Sequence, residues 1–302
     1  MSRNKFLKFF LGVFILSLFL GAEVGLAKEK PGGIILQQAI GARALGMGEA
    51  FVGLADDASS LYWNVAGILS TSGGKLKATY VRGIDEIEYG QIMLVQNLSS
   101  KQAIGLGVIY LRGGMISLYE NFSEGIMSQQ DVVSILGYTI ALQKNIKVGL
   151  ALKVLNTSLA EKYTTTVVGA DLGMLLTLNK KIKVGLSIKD IGQEIKYLEQ
   201  GDSMPLRMIL GTSYKFVEQA DHRGTVTADI VSMNSQRFKT GIGLEYWYIK
   251  ILGLRVGYKA GSDQNAISMG ASLKWQNIQI DYAFQLVKVL DNMHYVSCNL
   301  NW

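Results

Sequence analysis

Segment after segment of this chain alternates apolar with small or polar residues. That period of two constrains the fold more than any other feature. Over residues 278–285, Ile278, Ile280, Tyr282 and Phe284 fall on one face, and Gln279, Asp281, Ala283 and Gln285 on the other. Successive strand side chains point to opposite sides, so such a segment is a two-faced β-strand. A soluble sandwich turns its apolar face inward. A membrane barrel turns it to lipid and keeps the polar face for its interior. Alternation alone fits both.

The two ends of the chain favour the barrel. Arg3, Lys5 and Lys8 precede an apolar run over residues 9–20, and Gly25 and Ala27 are the small residues of a cleavage site. Residues 1–27 therefore read as an export signal that is removed. The run falls short of the ~20 residues a comfortable helical span needs. At the other end Val296, Cys298, Leu300 and Trp302 share one face. A closing strand with a terminal aromatic resembles the signal that outer-membrane barrels present to the barrel-assembly machinery. Trp302 also suits the aromatic girdle at a membrane interface. The expected location is the bacterial outer membrane, with outer-membrane lipid around the apolar faces.

Fourteen strands are predicted, over residues 75–81, 89–96, 103–111, 132–142, 146–155, 167–178, 182–188, 206–216, 225–231, 238–246, 252–259, 266–275, 278–285 and 294–302. Most approach the ~9–11 residues a tilted strand needs to cross a bilayer. Gln143-Lys144-Asn145, Asn179-Lys180-Lys181 and Gln276-Asn277 are tight turns, each after an even-numbered strand. Longer segments such as residues 112–131 and 189–205 lie between. Short periplasmic turns and longer external loops are the pattern of membrane barrels, and an even count puts both termini on one side. Two prolines and 34 glycines also suit long strands better than a loop-rich sandwich. The single Cys298 excludes an internal disulfide and falls on the lipid side.

Charge segregates with the alternation. Ile146, Val148, Leu150, Leu152 and Val154 face lipid, as do Ile182, Val184, Leu186 and Ile188, and Leu252, Leu254, Val256 and Tyr258. Lys147, Lys153, Lys183, Lys189, Lys215, Arg255, Lys259 and Lys274 project inward, together with Asp171, Glu245 and Asp281. Without Arg3, Lys5, Lys8 and Glu23 the balance is 27 basic against 23 acidic residues, which gives no case for nucleic acid.

Residues 28–72 do not alternate. Asp56 or Asp57 can cap a short helix from Ala58 toward Asn64, with Gly67 ending it and Leu61 and Val65 on one face. The stretch Gly41-Ala42-Arg43-Ala44-Leu45-Gly46-Met47-Gly48-Glu49-Ala50-Phe51, followed by Ala55-Asp56-Asp57-Ala58 and Trp63-Asn64-Val65-Ala66-Gly67, resembles the N-terminal signature of the PorV/PorQ family, a branch of the FadL-like outer-membrane proteins. Two positions depart from it: Glu49 stands for a usual glycine and Val65 for a usual proline. Later motifs resemble the family in the same order, among them Gly169-Ala170-Asp171-Leu172-Gly173, Leu254-Arg255-Val256-Gly257-Tyr258 and Ile280-Asp281-Tyr282-Ala283-Phe284. The resemblance implies an all-β fourteen-stranded barrel over residues 73–302, with residues 28–72 as a hatch in its lumen. Alternate lumen glycines (Gly105, Gly107, Gly149, Gly185, Gly211, Gly241, Gly243, Gly253, Gly257, Gly270) would then make room for it, since glycine permits close backbone approach.

Arg43, Asp56, Asp57, Trp63, Asn64, Arg255 and Asp281 are the candidate hatch or ligand contacts, and Arg255, nearest mid-strand, is the best single one. Met115, Leu118, Tyr119 and Phe122 could form an apolar loop pocket. Asp56 and Asp57 alone are a weak metal signal, better explained by capping and salt bridges. His294 and Ser297, three apart on a strand, point to opposite faces and cannot pair. The expectation is a non-enzyme with neither cofactor nor metal. By the resemblance, it admits hydrophobic or amphipathic small molecules through a hatch-gated lumen. The alternative is a PorV-like partner of a protein secretion or cell-surface attachment system, bound to a secretion-system protein. An open porin is disfavoured by an intact hatch.

Overall fold

A computed structural model describes residues 32–70, 73–82, 87–117, 125–233, 237–261, 265–287 and 292–302. The export-signal segment 1–27, and Leu118, Tyr119 and Phe122 of the expected loop pocket, lie outside the described residues.

Fourteen antiparallel strands close into one barrel. They are β1 (Gly74–Arg82), β2 (Glu88–Ser99), β3 (Gln102–Arg112), β6 (Gln129–Gln143), β7 (Ile146–Leu159), β8 (Tyr163–Thr177), β9 (Ile182–Gly192), β12 (Arg207–Glu218), β13 (His222–Met233), β14 (Arg237–Tyr248), β15 (Leu252–Ala260), β16 (Ala266–Trp275), β17 (Ile278–Val287) and β18 (Met293–Asn301). Two short hairpins stand in the connections: β4 (Met115–Ser117) with β5 (Gly125–Met127), and β10 (Ile195–Lys196) with β11 (Gly201–Asp202). The seam pairs β1 with β18, from Lys75 opposite Asn301 to Arg82 opposite His294. Trp302 extends it, exchanging backbone hydrogen bonds with Gly74. Closure leaves no unpaired sheet edge.

All fourteen expected strands form, with ends that shift by a few residues. The largest shifts are in β7, β8 and β9; β9 runs on to Gly192, and β7 and β8 reach Leu159 and Tyr163 and leave only residues 160–162 as a turn, Ala160 and Glu161 being left-handed. The expected strand ends left residues 156–166, a mostly polar stretch, as the connection. Their threonines (Thr157, Thr164, Thr165, Thr166) favour strand even so. The six turns after β2, β6, β8, β12, β14 and β16 define a tight-turn end of the barrel, and β1 begins and β18 finishes there.

The outer surface is a belt of exposed apolar side chains. Leu150, Leu152, Leu172, Ile242, Leu254, Val256, Met269 and Ile280 are each about half exposed on the bare chain. Patches of that extent mark a membrane-facing or partner-facing surface, and a belt around a closed barrel is the lipid face. Cys298 is exposed on it. Leu254→Arg should lower the unfolding free energy in lipid vesicles by about 2–4 kcal/mol, read by urea titration.

The expected helix over residues 58–64 is shorter than predicted. The first two helices of the N-terminal segment are α1 (Ile34–Gln37) and α2 (Ala42–Gly46); the third, α3, is Ser60–Trp63. Extended Asn64 separates α3 from a 3-10 helix, Val65–Ser70. Gly67 therefore lies inside a helical turn instead of ending one, with its Cα pressed against Ala55. Asp57 does organise the start, since its Oδ1 accepts from both the backbone N–H and the hydroxyl of Ser59.

Candidate functional site

Residues 34–70 lie inside the barrel, nearly all buried. From residue 42 to residue 53 their path follows the wall in order of falling strand number, and residues 61–66 then meet β3, β6, β7 and β8. Ala42 N–H donates to Ser297 Oγ of β18 at 2.9 Å. Gly46 backs onto Gly270 of β16, and Met47 and Gly48 press on Gly257 of β15 and on Gly243 and Gly241 of β14. The Phe51 and Val52 N–H groups both donate to Asp229 Oδ2 of β13, at 2.8 Å each. Gly53 meets Gly211 and Thr212 of β12, and Ser213 Oγ donates to its carbonyl at 3.0 Å. Val52 covers Gly185 of β9. Asn64 Nδ2 donates to the Met174 carbonyl of β8 at 3.0 Å. Thr139 Oγ1 of β6 donates to the Val65 carbonyl at 2.6 Å. Leu61 lies over Gly105 and Gly107 of β3 and Gly137 of β6.

Wall glycines thus form a track, and a backbone can approach another backbone this closely only where no Cβ intervenes. Nine of the ten glycines singled out from sequence touch the segment. Gly253 does not; it packs beneath Trp247. Gly137 and Gly173 belong to the track and were not foreseen. The departure from the resembled signature at Glu49 also has a physical counterpart. Glu49 adopts φ 64°, a left-handed conformation that glycine takes without strain, and its carboxylate pairs with Lys259 at 2.6 Å. Val65 opens the 3-10 helix, a place where proline is tolerated.

Ion pairs fasten the segment at its centre. Arg43 grips Glu245 of β14 with two hydrogen bonds, Nε to Oε2 at 2.7 Å and Nη2 to Oε1 at 2.8 Å. Its Nη1 reaches Asp56 Oδ1 at 2.5 Å and Asp57 Oδ2 at 3.4 Å. Lys77 of β1, fully buried, pairs with Asp57 at 3.0 Å. Arg255 lies opposite Glu245 in the β14–β15 ladder and donates to it at 2.7 Å, and its Nη1 reaches Ser272 at 2.5 Å and Asp281 at 3.4 Å. Arg255 therefore contacts the segment through the carboxylate it shares with Arg43. Burial by itself would raise the Asp57 carboxyl, but Lys77 and Arg43 outweigh it and hold the group well below the usual carboxylate range. A lowered carboxyl stabilises the fold above its unfolded pKa of about 4, and that contribution is lost only as pH falls through the lower folded value.

Trp63 and Asn64 hold the segment to itself. Trp63 Nε1 donates to the Ile40 carbonyl at 2.9 Å, and Asn64 Nδ2 to the Val52 carbonyl at 3.1 Å. A second buried cluster, unforeseen as a unit, sits toward the loops. Lys153 bridges Asp171 at 2.7 Å and Asp190 at 2.6 Å, and Arg207 pairs with Asp190 at 2.5 Å while donating to the Leu36 carbonyl. Lys189 stacks on Tyr62, Nζ 3.2 Å from the ring centroid. Asp190 escapes a parity argument because the β8–β9 register shifts beside it and its φ is 62°. Of the expected loop pocket, Met115 opens β4.

The inner wall divides along the barrel axis. On the loop half, strands from β18 through β1–β3 to β8 turn inward Tyr295, Val81, Tyr89, Ile109, Leu111, Val133, Leu155 and Val167, and these join Ile35 and Leu36 in one apolar cluster. At the tight-turn end the interior is polar, with a cavity of about 400 Å³. His294 faces outward, bonded to Tyr282, while Ser297 is buried inside, so the two share no site.

No sequence-family profile matches the chain, and no curated protein does. Solved barrels do match. The Ralstonia pickettii toluene transporter TbuX aligns with a TM-score of 0.62 at 13% identity, over 87% of this chain and 98% of that one. A Pseudomonas aeruginosa FadL homologue aligns at 0.59 and 12%, over 85% and 97%. The Pseudomonas putida toluene transporter TodX aligns at 0.55 and 14%, over 84% and 95%. At these identities the likeness is one of fold: a closed fourteen-stranded barrel of the FadL type.

Proposed function

We propose that this chain is an outer-membrane barrel that admits hydrophobic or amphipathic small molecules, with residues 28–72 as the hatch that closes its lumen. Residues 1–27 are removed on export, and the tight-turn end faces the periplasm. The observation that carries this reading is the apolar inner wall on the loop half, continuous with Ile35 and Leu36 of the hatch. A porin for polar solutes lines its lumen with polar groups. An inward apolar wall gives a greasy molecule a favourable surface at ~25 cal/mol per Å² of area removed from water. Similar barrels carry the names toluene transporter and monoaromatic hydrocarbon channel, in keeping with that chemistry. The hatch is seated by glycine contacts, backbone hydrogen bonds and a few ion pairs, so it can leave without breaking the strand ladder.

The test is flux into vesicles reconstituted with the full chain. Toluene and radiolabelled palmitate should enter in a protein-dependent way, and arabinose should not. Equal arabinose entry, or no protein-dependent entry of either apolar probe, would refute the reading. Replacing Val133 and Leu155 together by Ser should slow the apolar flux several-fold by making that wall polar.

A second reading rests on the signature at residues 41–68: a PorV-like partner of a secretion or surface-attachment system. A stoichiometric companion protein in native mass spectra of gently extracted material, with no bound apolar ligand, would favour it. In either case the C-terminal strand, β18 with Trp302, is the proposed recognition signal for the barrel-assembly machinery.

A further inference from the structure

The cavity at the tight-turn end has chemistry that the apolar pathway does not use. It is lined by four cations, Arg43, Lys75, Arg223 and Lys274, against two carboxylates, Asp56 and Asp57. Both carboxylates are already committed to Arg43 and Lys77. The other three cations have no strong acidic partner. Lys75 donates to the Asp56 carbonyl at 3.2 Å, and Arg223 stands 3.9 Å from Glu245. Lys274 makes no ion pair among the described residues. These three come from β1, β13 and β16, so they converge on the cavity from separate parts of the wall.

Trp247 forms part of the wall. It is 3% exposed and lines both this cavity and the adjoining one of about 160 Å³ with its ring, its indole nitrogen being sealed from both. The Arg223 guanidinium lies 5.6 Å from the centre of its ring. Around these stand side-chain amides, Asn277, Gln279, Asn299 and Asn301; Asn299 donates to Asp281 and to the Gln279 carbonyl, while Gln279 and Asn301 spend one N–H each, on Asp281 and on the Asn277 carbonyl, and keep a second.

We propose that this cavity is a binding site for a small polyanion bearing carboxylate or phosphate groups, entering from the tight-turn side. Lys75, Arg223 and Lys274 neutralise its charges, and the second N–H of the Gln279 and Asn301 amides donates to its oxygens. The cavity volume admits a citrate-sized solute, and its low-dielectric walls strengthen the attraction. The site is distinct from the apolar wall of the loop half, so it stands whether or not that wall carries hydrocarbon.

The test is calorimetric titration of the full chain in detergent with citrate and, separately, with inorganic pyrophosphate. Saturable one-to-one binding that weakens as salt rises is expected for at least one of them. Arg223→Gln combined with Lys274→Gln should weaken it about tenfold or more. Lys162→Gln at the loop end should leave it unchanged. Absence of saturable binding of both anions to a folded native barrel overturns the proposal. So does binding that the double variant leaves intact. Neither result bears on toluene or palmitate flux, and failure of that flux does not bear on this site.

Discussion

Gly257→Val should expel the N-terminal segment from the lumen while leaving the barrel closed. A Cβ at Gly257 would run into the backbone of Met47 and Gly48, with Gly48 Cα at 2.7 Å. Neither side can yield by rotating a side chain. Gly257 is held in the ladder between Gly243 of β14 and Ser268 of β16, and Gly48 is pinned in a left-handed turn. Overpacking of side chains usually costs about 1–3 kcal/mol, and a backbone-on-backbone clash should exceed that range. The expected result is rapid trypsin cleavage after Arg43 in a barrel whose strand content by circular dichroism is unchanged. Gly253→Ala is the matched control. Its Cβ would meet only Trp247 and Ser272 side-chain atoms at 3.1–3.2 Å, so the segment should stay protected.

Removing the Glu245 carboxylate should have the second large effect. Glu245 is the one acid that Arg43 of the segment and Arg255 of the wall both grip, and all three side chains are buried. Glu245→Ala leaves two buried guanidiniums facing each other across a void. Breaking a buried pair by removing one partner typically costs about 3–5 kcal/mol; Arg43 keeps Asp56 and Asp57 and Arg255 keeps Asp281, which places this variant toward the lower end. The segment can relieve that cost by withdrawing Arg43. We therefore expect faster hydrogen exchange across residues 41–57 than in the native chain, with the β14–β15 amides still protected. Glu245→Gln, which keeps an acceptor, should fall between the two. Equal exchange in Glu245→Ala and native protein would show that the pair does not fasten the segment.

The barrel was legible in the sequence because its cause is periodic. A lipid face and a lumen face alternate every residue, so Leu252, Leu254, Val256 and Tyr258 announced their side without reference to any partner. The glycine track was legible for the same reason, since lumen parity plus a small residue marks a place where something comes close. Parity failed where geometry is not periodic. Asp190 sits at a register shift with a left-handed backbone, so its role beside Lys153 and Arg207 could not be counted out along the strand. Gly253 has the right parity but the neighbouring Trp247 takes the space in front of it. Asp229 and Lys77 carried lumen parity, yet nothing local marked them as partners of residues 51, 52 and 57, some 20 to 178 positions away in sequence. The apolar wall of the loop half was hidden by its own chemistry. Val133 and Leu155 lie among outward apolar neighbours, so their strands read as uniformly apolar runs where inward and outward faces merge.

The claim on which the account turns is that the N-terminal segment is what closes the lumen. Single-channel conductance in planar bilayers tests it most directly, comparing the full chain with a variant lacking residues 37–67. The strand ladder is complete without those residues, so the variant should insert as a barrel and conduct ions in large, steady steps, while the full chain stays nearly closed. Equal conductance from the two would contradict the account and assign closure to the strands and loops themselves.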